Sequence, residues 1–322
     1  MKKLKSVLMS NSPDNINYVY TTSRLEHLKE ISDLYPTIIT KENFNEHLPY
    51  LKKVEAIFST WGFWAFDENN FNALPNLKHV FYAAGATDSF ARPLFAHNVA
   101  LYSAWQANAI PVAEYTLAHI LLGCKGFYNN SRNYKTPENR TKNLGPGIFD
   151  ETIVLIGDGA ISKYLQKLLK NFRLNVIEIP SKPELRTISL EEAFKLGIVV
   201  SNHLPNRSDN QQVIKEEHFR SMRPGATFIN TGRGAQVDEA GLIKVMQERK
   251  DLTAILDVTN PEPPEVDSPL YTTDNIILSG HIAGSLNNEV ARMADFMLEE
   301  YQRIVQDEKP QYQVFEEMLM TH

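Results

Sequence analysis

The sequence predicts an α/β protein built from two doubly wound domains. Short apolar runs alternate with segments of helical period along the chain, which favours parallel sheets covered by helices. The alternation pauses once, in the polar segment 129–147 with its two prolines and two glycines, and then resumes. After the pause, an apolar run leads into Gly157-Asp158-Gly159 and a helical pattern, which is the strand–turn–helix context of a dinucleotide site.

Composition limits the classes of protein to consider. A chain of 322 residues with 43% hydrophobic content can bury the cores of two domains. The net charge of −6 argues against nucleic-acid binding, which needs a positive surface. A single cysteine, Cys124, favours a reducing, cytoplasmic location. No apolar run approaches the roughly 20 residues of a membrane span, so we expect no membrane association. We also expect no metal site.

The first half of the chain carries the elements of one domain. A helix is expected at 25–35, and a long apolar helix at 111–128 is expected to lead from this domain to the next. The apolar runs that predict strands here are 6–10, 37–40, 56–59, 79–82 and 99–102.

The second half repeats the pattern. Helices are expected at 161–172, directly after the glycine turn, and at 287–305 near the end of the chain. The apolar runs that predict strands are 152–156, 175–179, 198–202, 227–230, 254–258 and 275–278.

The glycine turn has the features of a phosphate-binding loop. Gly157 suits a tight turn, and Gly159 lets the backbone approach a pyrophosphate, which the free N–H groups of the following helix would bind. Ser162 stands where a third glycine is usual, which weakens the motif. We expect this turn, with Ala160 and Ile161, to bind a nicotinamide dinucleotide.

The acidic residue that binds the adenosine ribose is missing from its usual place at the end of the second strand. That strand ends at Pro180-Ser181-Lys182, and Glu178 comes two positions early. Without a carboxylate at the rim, the 2′-phosphate of NADP is not repelled, and Ser181 and Lys182 would bind it. NADP is therefore slightly favoured over NAD, although Lys182 as a solvated loop charge stays an alternative.

Three residues with catalytic chemistry follow late apolar runs. Arg233 lies between two glycines that would let its backbone lie close to a ligand, and its guanidinium matches a carboxylate. His281 follows a strand end, where a protonated imidazole can give its proton to a carbonyl oxygen. A carboxylate from Glu262 against the other ring nitrogen would orient the ring and favour its charged form. Together they suggest hydride transfer to a carbonyl beside a carboxylate.

The order and spacing of these residues resemble those of the D-isomer-specific 2-hydroxyacid dehydrogenases, over residues 145–290. The resemblance implies that Arg233 binds substrate, that Glu262 and His281 form the acid–base pair, and that Asp257 contacts the nicotinamide. The segments that carry it are His203-Leu204-Pro205, the arginine segment from Phe228 to Asp238 that includes Thr231, Leu256-Asp257-Val258, Glu262-Pro263, and Gly280-His281-Ile282-Ala283-Gly284. By the same resemblance, Leu204, Pro205, Thr231 and Gly284 are expected to contact the cofactor.

The resemblance reaches the first half more weakly. Ala84-Gly85-Ala86 resembles the loop whose amides hold the substrate carboxylate, and Asn108 resembles the entry to the interdomain helix. The fold implied is a flavodoxin-like substrate domain at 1–115 and 289–322 and a Rossmann dinucleotide-binding domain at 116–288. In the aromatic stretch 59–64, Trp61 is expected to overhang the substrate; an equal alternative is that these aromatics belong to the core.

Three departures from the family fall on the adenosine side of the cofactor site. Ser162 and Pro180 replace the usual glycine and aspartate, and the segment that follows Pro180 is shorter than usual. These changes bear on the identity of the cofactor more than on the chemistry.

We therefore expect an NAD(P)-dependent D-2-hydroxyacid dehydrogenase or 2-oxo acid reductase, acting on a small 2-oxo or 2-hydroxy acid as a homodimer. One alternative is a non-enzymatic, dinucleotide-sensing regulator on the same fold. A second is a formate or phosphite dehydrogenase; Glu262 disfavours formate, because formate dehydrogenases of this type carry Gln beside the histidine. The sequence does not name the substrate or the oligomeric state.

Overall fold

The computed structural model describes residues 3–140 and 144–319. The chain divides into two compact units, the first Met1–Asn108 with Ser285–His322 and the second Ala109–Gly284. Each unit contains one sheet of parallel strands with helices, so the predicted α/β class is confirmed. The domain boundaries expected from the sequence were 115/116 and 288/289. The boundaries between the two compact units fall at 108/109 and 284/285.

The elements of the described residues follow in chain order. The strands are β1 Lys5–Met9, β2 Asp33–Leu34, β3 Ala56–Ser59, β4 His79–Tyr82, β5 Ala100–Ser103, β6 Glu151–Ile156, β7 Leu174–Ile179, β8 Val199–Asn202, β9 Thr227–Asn230, β10 Thr253–Leu256, β11 Ile276–Leu278 and β12 Gln313–Val314. The helices are α1 Pro13–Ile31, α2 Leu48–Leu51, α3 Glu68–Ala73, α4 Ala91–Ala96, α5 Trp105–Cys124, α6 Phe127–Asn133, α7 Ala160–Leu169, α8 Leu190–Leu196, α9 Glu216–Ser221, α10 Glu239–Glu248, α11 Val290–Val305 and α12 Glu316–Leu319.

The sheet of the first unit has the flavodoxin-like order that the sequence predicted. Its strands run β2-β1-β3-β4-β5, all parallel, and β12 adds an antiparallel edge beside β5. Alternate side chains of the strands enter separate apolar clusters, as the two-residue period of a strand requires. Val7 and Ile57 lie in one cluster, while Leu8 and Phe58 join α1 and α11 in the other.

The sheet of the second unit is parallel throughout, in the order β7-β6-β8-β9-β10-β11. Relative to the standard dinucleotide-binding order, the outermost strand beyond β7 is replaced by the short 3₁₀ turn Pro183–Leu185. This follows from the short segment after Pro180. From β6, the chain adds β7 on one side of the sheet and then β8 to β11 on the other side. Such a switch point opens a crevice at the carboxyl ends of the strands.

Some element bounds differ from those expected from the sequence. The first helix begins at Pro13, because a proline is well tolerated in the first turn and Ile16, Val19 and Tyr20 supply a buried face. The strand expected at 37–40 is reduced to an isolated bridge between Ile39 and Met9. Pro36 has no N–H group to donate, so the edge strand pairs with β1 in two short pieces.

The long helix also shifts. Helix α5 starts at Trp105 and contains Pro111, the residue at which the apolar run had placed the start of the helix. It ends at Cys124, and the left-handed Gly126 (φ 68°) then separates it from α6. In the described part of the chain, no helix combines the length and the apolar character needed to cross a membrane.

Candidate active site

The site residues of the second unit lie at one edge of its sheet. The registers align the last residues of all six strands in a single row: Ile179, Ile156, Asn202, Asn230, Leu256 and Leu278. Because parallel strands end at the same edge, the loops that follow them converge there. The glycine turn follows β6, Arg233 follows β9, Asp257 and Glu262 follow β10, and His281 follows β11.

His281 and Glu262 form a hydrogen-bonded pair. Nδ1 of the imidazole lies 2.5 Å from Oε1 of the carboxylate. Both side chains stay accessible, with 50% of the histidine and 39% of the glutamate side chain exposed. The other ring nitrogen, Nε2, has no protein partner among the described residues, so this arrangement leaves an oriented imidazole with one nitrogen open to a ligand.

The turn that carries His281 is held by Asp257. His281 has a left-handed backbone (φ 63°), which is unfavourable for a residue with a Cβ. Its N–H donates to the backbone oxygen of Asp257 at 2.7 Å. The buried Asp257 carboxylate accepts hydrogen bonds from the N–H groups of Ile282 (2.8 Å) and Ala283 (3.0 Å) and from the hydroxyl of Ser279 (2.7 Å). Asp257 therefore fixes the backbone on both sides of the histidine.

Helix α5 extends this network. The Tyr115 hydroxyl lies 2.7 Å from the Ser279 hydroxyl. Because Ser279 donates its hydrogen to Asp257, Tyr115 is the donor to Ser279. Burial raises the pKa of Tyr115, which keeps this donor protonated. The ring of His119 packs edge-on against Tyr115 and is hydrogen-bonded to Tyr128, and burial lowers the pKa of His119.

The sequence analysis missed Tyr115 and Ser279. The available signal was a tyrosine and a histidine one turn apart, at Tyr115 and His119, in an otherwise apolar helix.

Arg233 is exposed and forms no ion pair among the described residues. One guanidinium nitrogen, Nη1, donates to the backbone oxygen of Gly232 at 2.8 Å, which fixes the side chain near its own turn. The rest of the guanidinium is free to bind a carboxylate by parallel hydrogen bonds.

The glycines on either side of Arg233 serve internal packing. A Cβ at Gly234 would lie 2.0 Å from the backbone carbonyl of Thr259, and one at Gly232 would lie 2.5 Å from Oε1 of Gln236. These glycines therefore have a packing role, and the expected approach of a ligand to the backbone of Arg233 stays a prediction. They allow the arginine turn to pack against the loop after β10.

Gln236 joins two site loops and was also missed. Its buried amide accepts from the N–H of Arg233 (3.0 Å) and donates to the backbone oxygens of Leu204 (3.0 Å) and Pro205 (2.7 Å). Asn202 at the end of β8 adds a hydrogen bond of 2.8 Å to the same side chain. The two loops expected to contact cofactor and substrate are thus tied to each other.

The glycine turn fits a dinucleotide pyrophosphate. Gly157 has φ 110°, and a Cβ there would lie 2.5 Å from the backbone oxygen of His203, so only glycine suits this position. A Cβ at Gly159 would meet nothing within 4 Å, which leaves open space above the turn. Helix α7 begins there without a side-chain cap or an acidic residue in its first turn, so its N–H groups are available to phosphates.

Ser162, in the place of the third glycine, is fully buried on α7. Its hydroxyl has no hydrogen-bond partner in the described residues. The serine fits the helix–sheet contact that a glycine usually makes, but it leaves a polar atom unpaired there.

The rim beside β7 holds a carboxylate that the sequence analysis did not expect. Glu178 is hydrogen-bonded to Gln166 of α7 and is not at the rim. Asp158 reaches across from the glycine turn, and its Oδ1 accepts from the N–H of Ser181 at 3.1 Å. Lys182 is exposed. The premise that no carboxylate lies at this rim is therefore wrong.

His203 is buried under the cofactor-side loops. Nε2 lies 2.9 Å from the Ser201 hydroxyl and Nδ1 lies 3.0 Å from the Thr231 hydroxyl. Burial lowers the pKa of His203 to about 3, so the ring is neutral at physiological pH. The Thr231 hydroxyl is thus hydrogen-bonded to this histidine, and the expected contact of Thr231 with the cofactor stays a prediction.

The predicted substrate loop lies in the first unit. The Ser103 hydroxyl donates to the backbone oxygens of Ala84 and Gly85, both at 2.8 Å. Within residues 3–140 and 144–319, no group accepts from the N–H of Gly85 or Ala86. In the aromatic stretch, Trp64 is buried in the core, and Trp61 is 36% exposed. The expected position of Trp61 over the substrate stays a prediction.

Comparisons with known proteins identify a family, related sequences and a shared fold. The NAD binding domain of the D-isomer specific 2-hydroxyacid dehydrogenases matches residues 117–283. A glyoxylate reductase of Thermofilum pendens is 29% identical over 222 residues, which are 65% of this chain and 66% of the reductase. A D-3-phosphoglycerate dehydrogenase of Archaeoglobus fulgidus is 27% identical over 234 residues, 68% of this chain but 44% of that enzyme. The chain therefore spans less than two thirds of the length of these relatives.

A solved structure shares the fold over almost the whole chain. A phosphoglycerate oxidoreductase from Rhizobium etli superposes with a TM-score of 0.79 at 19% identity, covering 98% of this chain and 100% of that one.

We predict that His203 makes the protein less stable in mild acid. An unfolded histidine has a pKa near ~6.5, whereas the folded value is about 3. The stabilisation is complete above pH ~6.5 and is lost as pH falls toward 3, by up to ~1.4 kcal/mol per pH unit, because the unfolded state binds a proton that the folded state does not. His203→Gln should flatten the dependence of the free energy of unfolding on pH between about 6.5 and 4, measured by urea denaturation. Parallel curves for the two proteins would contradict it.

Proposed function

The chain belongs to the family of D-isomer specific 2-hydroxyacid dehydrogenases, and we propose that it reduces a small 2-oxo acid to a D-2-hydroxy acid, or the reverse, with NADH or NADPH. The observation that carries the proposal is the His281–Glu262 pair, with its open ring nitrogen, at the same sheet edge as Arg233, which forms no ion pair with any described residue. The family transfers hydride between 2-hydroxy and 2-oxo acids with a nicotinamide dinucleotide.

Arg233 is proposed to bind the substrate carboxylate. Its guanidinium is exposed and has donors left over after its single bond to Gly232. A planar fork of N–H donors binds a carboxylate with direction as well as charge, which would present the adjacent 2-carbon in one orientation.

His281 is proposed as the general acid–base. With Nδ1 bonded to Glu262, Nε2 is the nitrogen that would give a proton to the carbonyl oxygen during reduction, or take one from the hydroxyl during oxidation. Glu262 fixes the ring and stabilises its positive charge. The nicotinamide, when bound, supplies or accepts the hydride at the 2-carbon.

The glycine turn and the loops after β8 to β11 are proposed to bind the dinucleotide. The open space at Gly159 and the uncapped start of α7 would hold the pyrophosphate. Asp257 is proposed to lie beside the nicotinamide, with its carboxylate oxygens also accepting hydrogen bonds from the His281 turn. The remaining proposed contacts are Gly157, Ala160, Ile161, Ser181, Lys182, Leu204, Pro205, Thr231 and Gly284.

The substrate class is proposed from chemistry and from the relatives together. Glyoxylate is one candidate because a relative is named glyoxylate reductase. 3-Phosphoglycerate is a second because of the D-3-phosphoglycerate dehydrogenase. The free N–H groups of Gly85 and Ala86 support a carboxylate-binding role for the loop that begins at Ala84, and the exposed ring of Trp61 supports a role at the substrate.

Replacing His281 with Gln should lower turnover of 2-oxo acids by roughly 10²–10⁴-fold, because the proton donor is removed. Dinucleotide binding should stay intact, as measured by fluorescence titration. The matched control is His97→Gln, which breaks another exposed His–Glu pair, with Glu68. Near-normal turnover after the His281 substitution would refute the acid–base role. Dinucleotide binding by the unsubstituted protein without turnover on any 2-oxo acid would favour the regulator.

Replacing Arg233 with Ala should raise KM for 2-oxo acids about 10- to 100-fold, because a charge-assisted hydrogen-bonded pair contributes about 1.5–3 kcal/mol. Dinucleotide affinity should change little. Arg220→Ala, which removes an exposed arginine paired with Glu216 and Glu248, is the control and should leave KM unchanged. Steady-state kinetics with a series of 2-oxo acids checks the result, and an unchanged KM would rule out the assignment.

A homodimer is proposed because several large apolar side chains between residues 122 and 149 of the second unit are exposed. The side chains are Leu122, Phe127, Tyr134, Leu144 and Phe149, all at least 38% exposed. Sedimentation at micromolar concentration should give twice the chain mass of 36.7 kDa, and Phe127→Glu should shift the protein toward the monomer. A wild-type protein that sediments as a monomer would contradict the dimer. The cytoplasmic location stays a prediction.

A further inference from the structure

We propose that Asp158, inside the glycine turn, supplies the carboxylate for the adenosine ribose and thereby selects NAD over NADP. The inference rests on the proposed function only in requiring that a dinucleotide binds here. It replaces the slight preference for NADP, whose premise was a rim without a carboxylate. In the standard arrangement, an acid at the end of the second strand binds the ribose hydroxyls, whereas in this chain Pro180 follows the last residue of β7.

The geometry brings the turn and the strand end together. Ile156 and Ile179 are register partners at the ends of β6 and β7, and the N–H of Gly157 donates to the backbone oxygen of Ile179 at 2.8 Å. The next residue, Asp158, then reaches the N–H of Ser181 with its Oδ1, at 3.1 Å. The carboxylate is thus anchored at the rim from the turn after the neighbouring strand β6. It lies beside the place that an acid at the end of β7 would occupy.

The carboxylate is charged and partly accessible. Partial burial raises the pKa of Asp158, but hydrogen bonds from Ser181 and the nearby Lys163 outweigh it and hold the pKa below its usual range. The carboxylate accepts hydrogen bonds from the backbone and the side chain of Ser181, and because an ionised carboxylate has about four acceptor positions, it can accept more. These acceptors suit the two hydroxyls of a ribose.

The cations near the rim do not make a built phosphate site. Arg186 uses Nε on the backbone oxygen of Pro180 and Nη2 on that of Ser181, both at 3.0 Å. Lys182 is exposed on the turn, where side-chain freedom and water weaken its attraction. A 2′-phosphate beside Asp158 would meet a fixed negative charge at short range.

The test is equilibrium binding, which does not depend on catalysis. NADH and NADPH are titrated by fluorescence, and ADP-ribose and 2′-phospho-ADP-ribose by calorimetry, so that the adenosine half is also measured alone. Wild-type protein should bind NADH and ADP-ribose at least tenfold more tightly than their 2′-phosphorylated counterparts. Asp158→Asn should weaken NADH about tenfold and leave NADPH equal or tighter, so that the preference disappears.

The control is Asp150→Asn, which removes an exposed carboxylate paired with Arg173 before the start of β6 and should change neither affinity. Lys182→Gln is measured beside it. Tighter binding of NADPH by wild-type protein, or an unchanged ratio in Asp158→Asn with the same thermal midpoint, would overturn the inference. Loss of NADPH affinity in Lys182→Gln would do so as well, because it would show that the lysine binds the 2′-phosphate. If neither dinucleotide binds, both proposals fall. If the predicted ratio holds without turnover on any 2-oxo acid, the inference stands and the proposed reaction fails.

Discussion

The rest of the site depends on the hydrogen bonds that the buried carboxylate of Asp257 accepts. His281 sits in a backbone region that is unfavourable for a histidine, and nothing in its own sequence holds it there. Hydrogen bonds from Ser279, Ile282 and Ala283 converge on the one carboxylate and fix the turn. Because the ring direction follows from the turn, the contact with Glu262 depends on these bonds in the interior. The proposed catalytic pair is exposed, but its geometry is set by contacts below the surface.

The other loops are fixed by the same kind of interaction, a buried polar side chain that spans two strand ends. Gln236 ties the arginine turn to the backbone of Leu204 and Pro205, and His203 lies between Ser201 and Thr231. Such satisfied networks are rigid, because breaking one bond leaves a buried group unpaired. The sheet edge can therefore present flexible residue types, an arginine and a glutamate, from backbones that do not move freely.

The sequence was sufficient for the fold class, since the alternation of short apolar runs and helical segments needs only periodicity. It was also sufficient for the family, which the order of Arg233, Glu262 and His281 indicated. It was insufficient for the direction of side chains in loops. Nothing in a linear pattern shows that Asp158 points to Ser181, or that Gly234 avoids Thr259. Edge strands were also hard to predict, because tertiary pairing decides whether so short a segment as Asp33–Leu34 is a strand.

Because the first unit consists of two segments that flank the second unit, it can be completed only after the second unit has been synthesised. The second unit is one continuous stretch, so all of its strands exist once residue 284 has been synthesised. The first unit must wait for α11, β12 and α12, which are synthesised after the second unit. Until then, the apolar surface that Met293 and Met297 later cover stays open to water or to a chaperone. The first unit is thus begun before the second unit and completed after it.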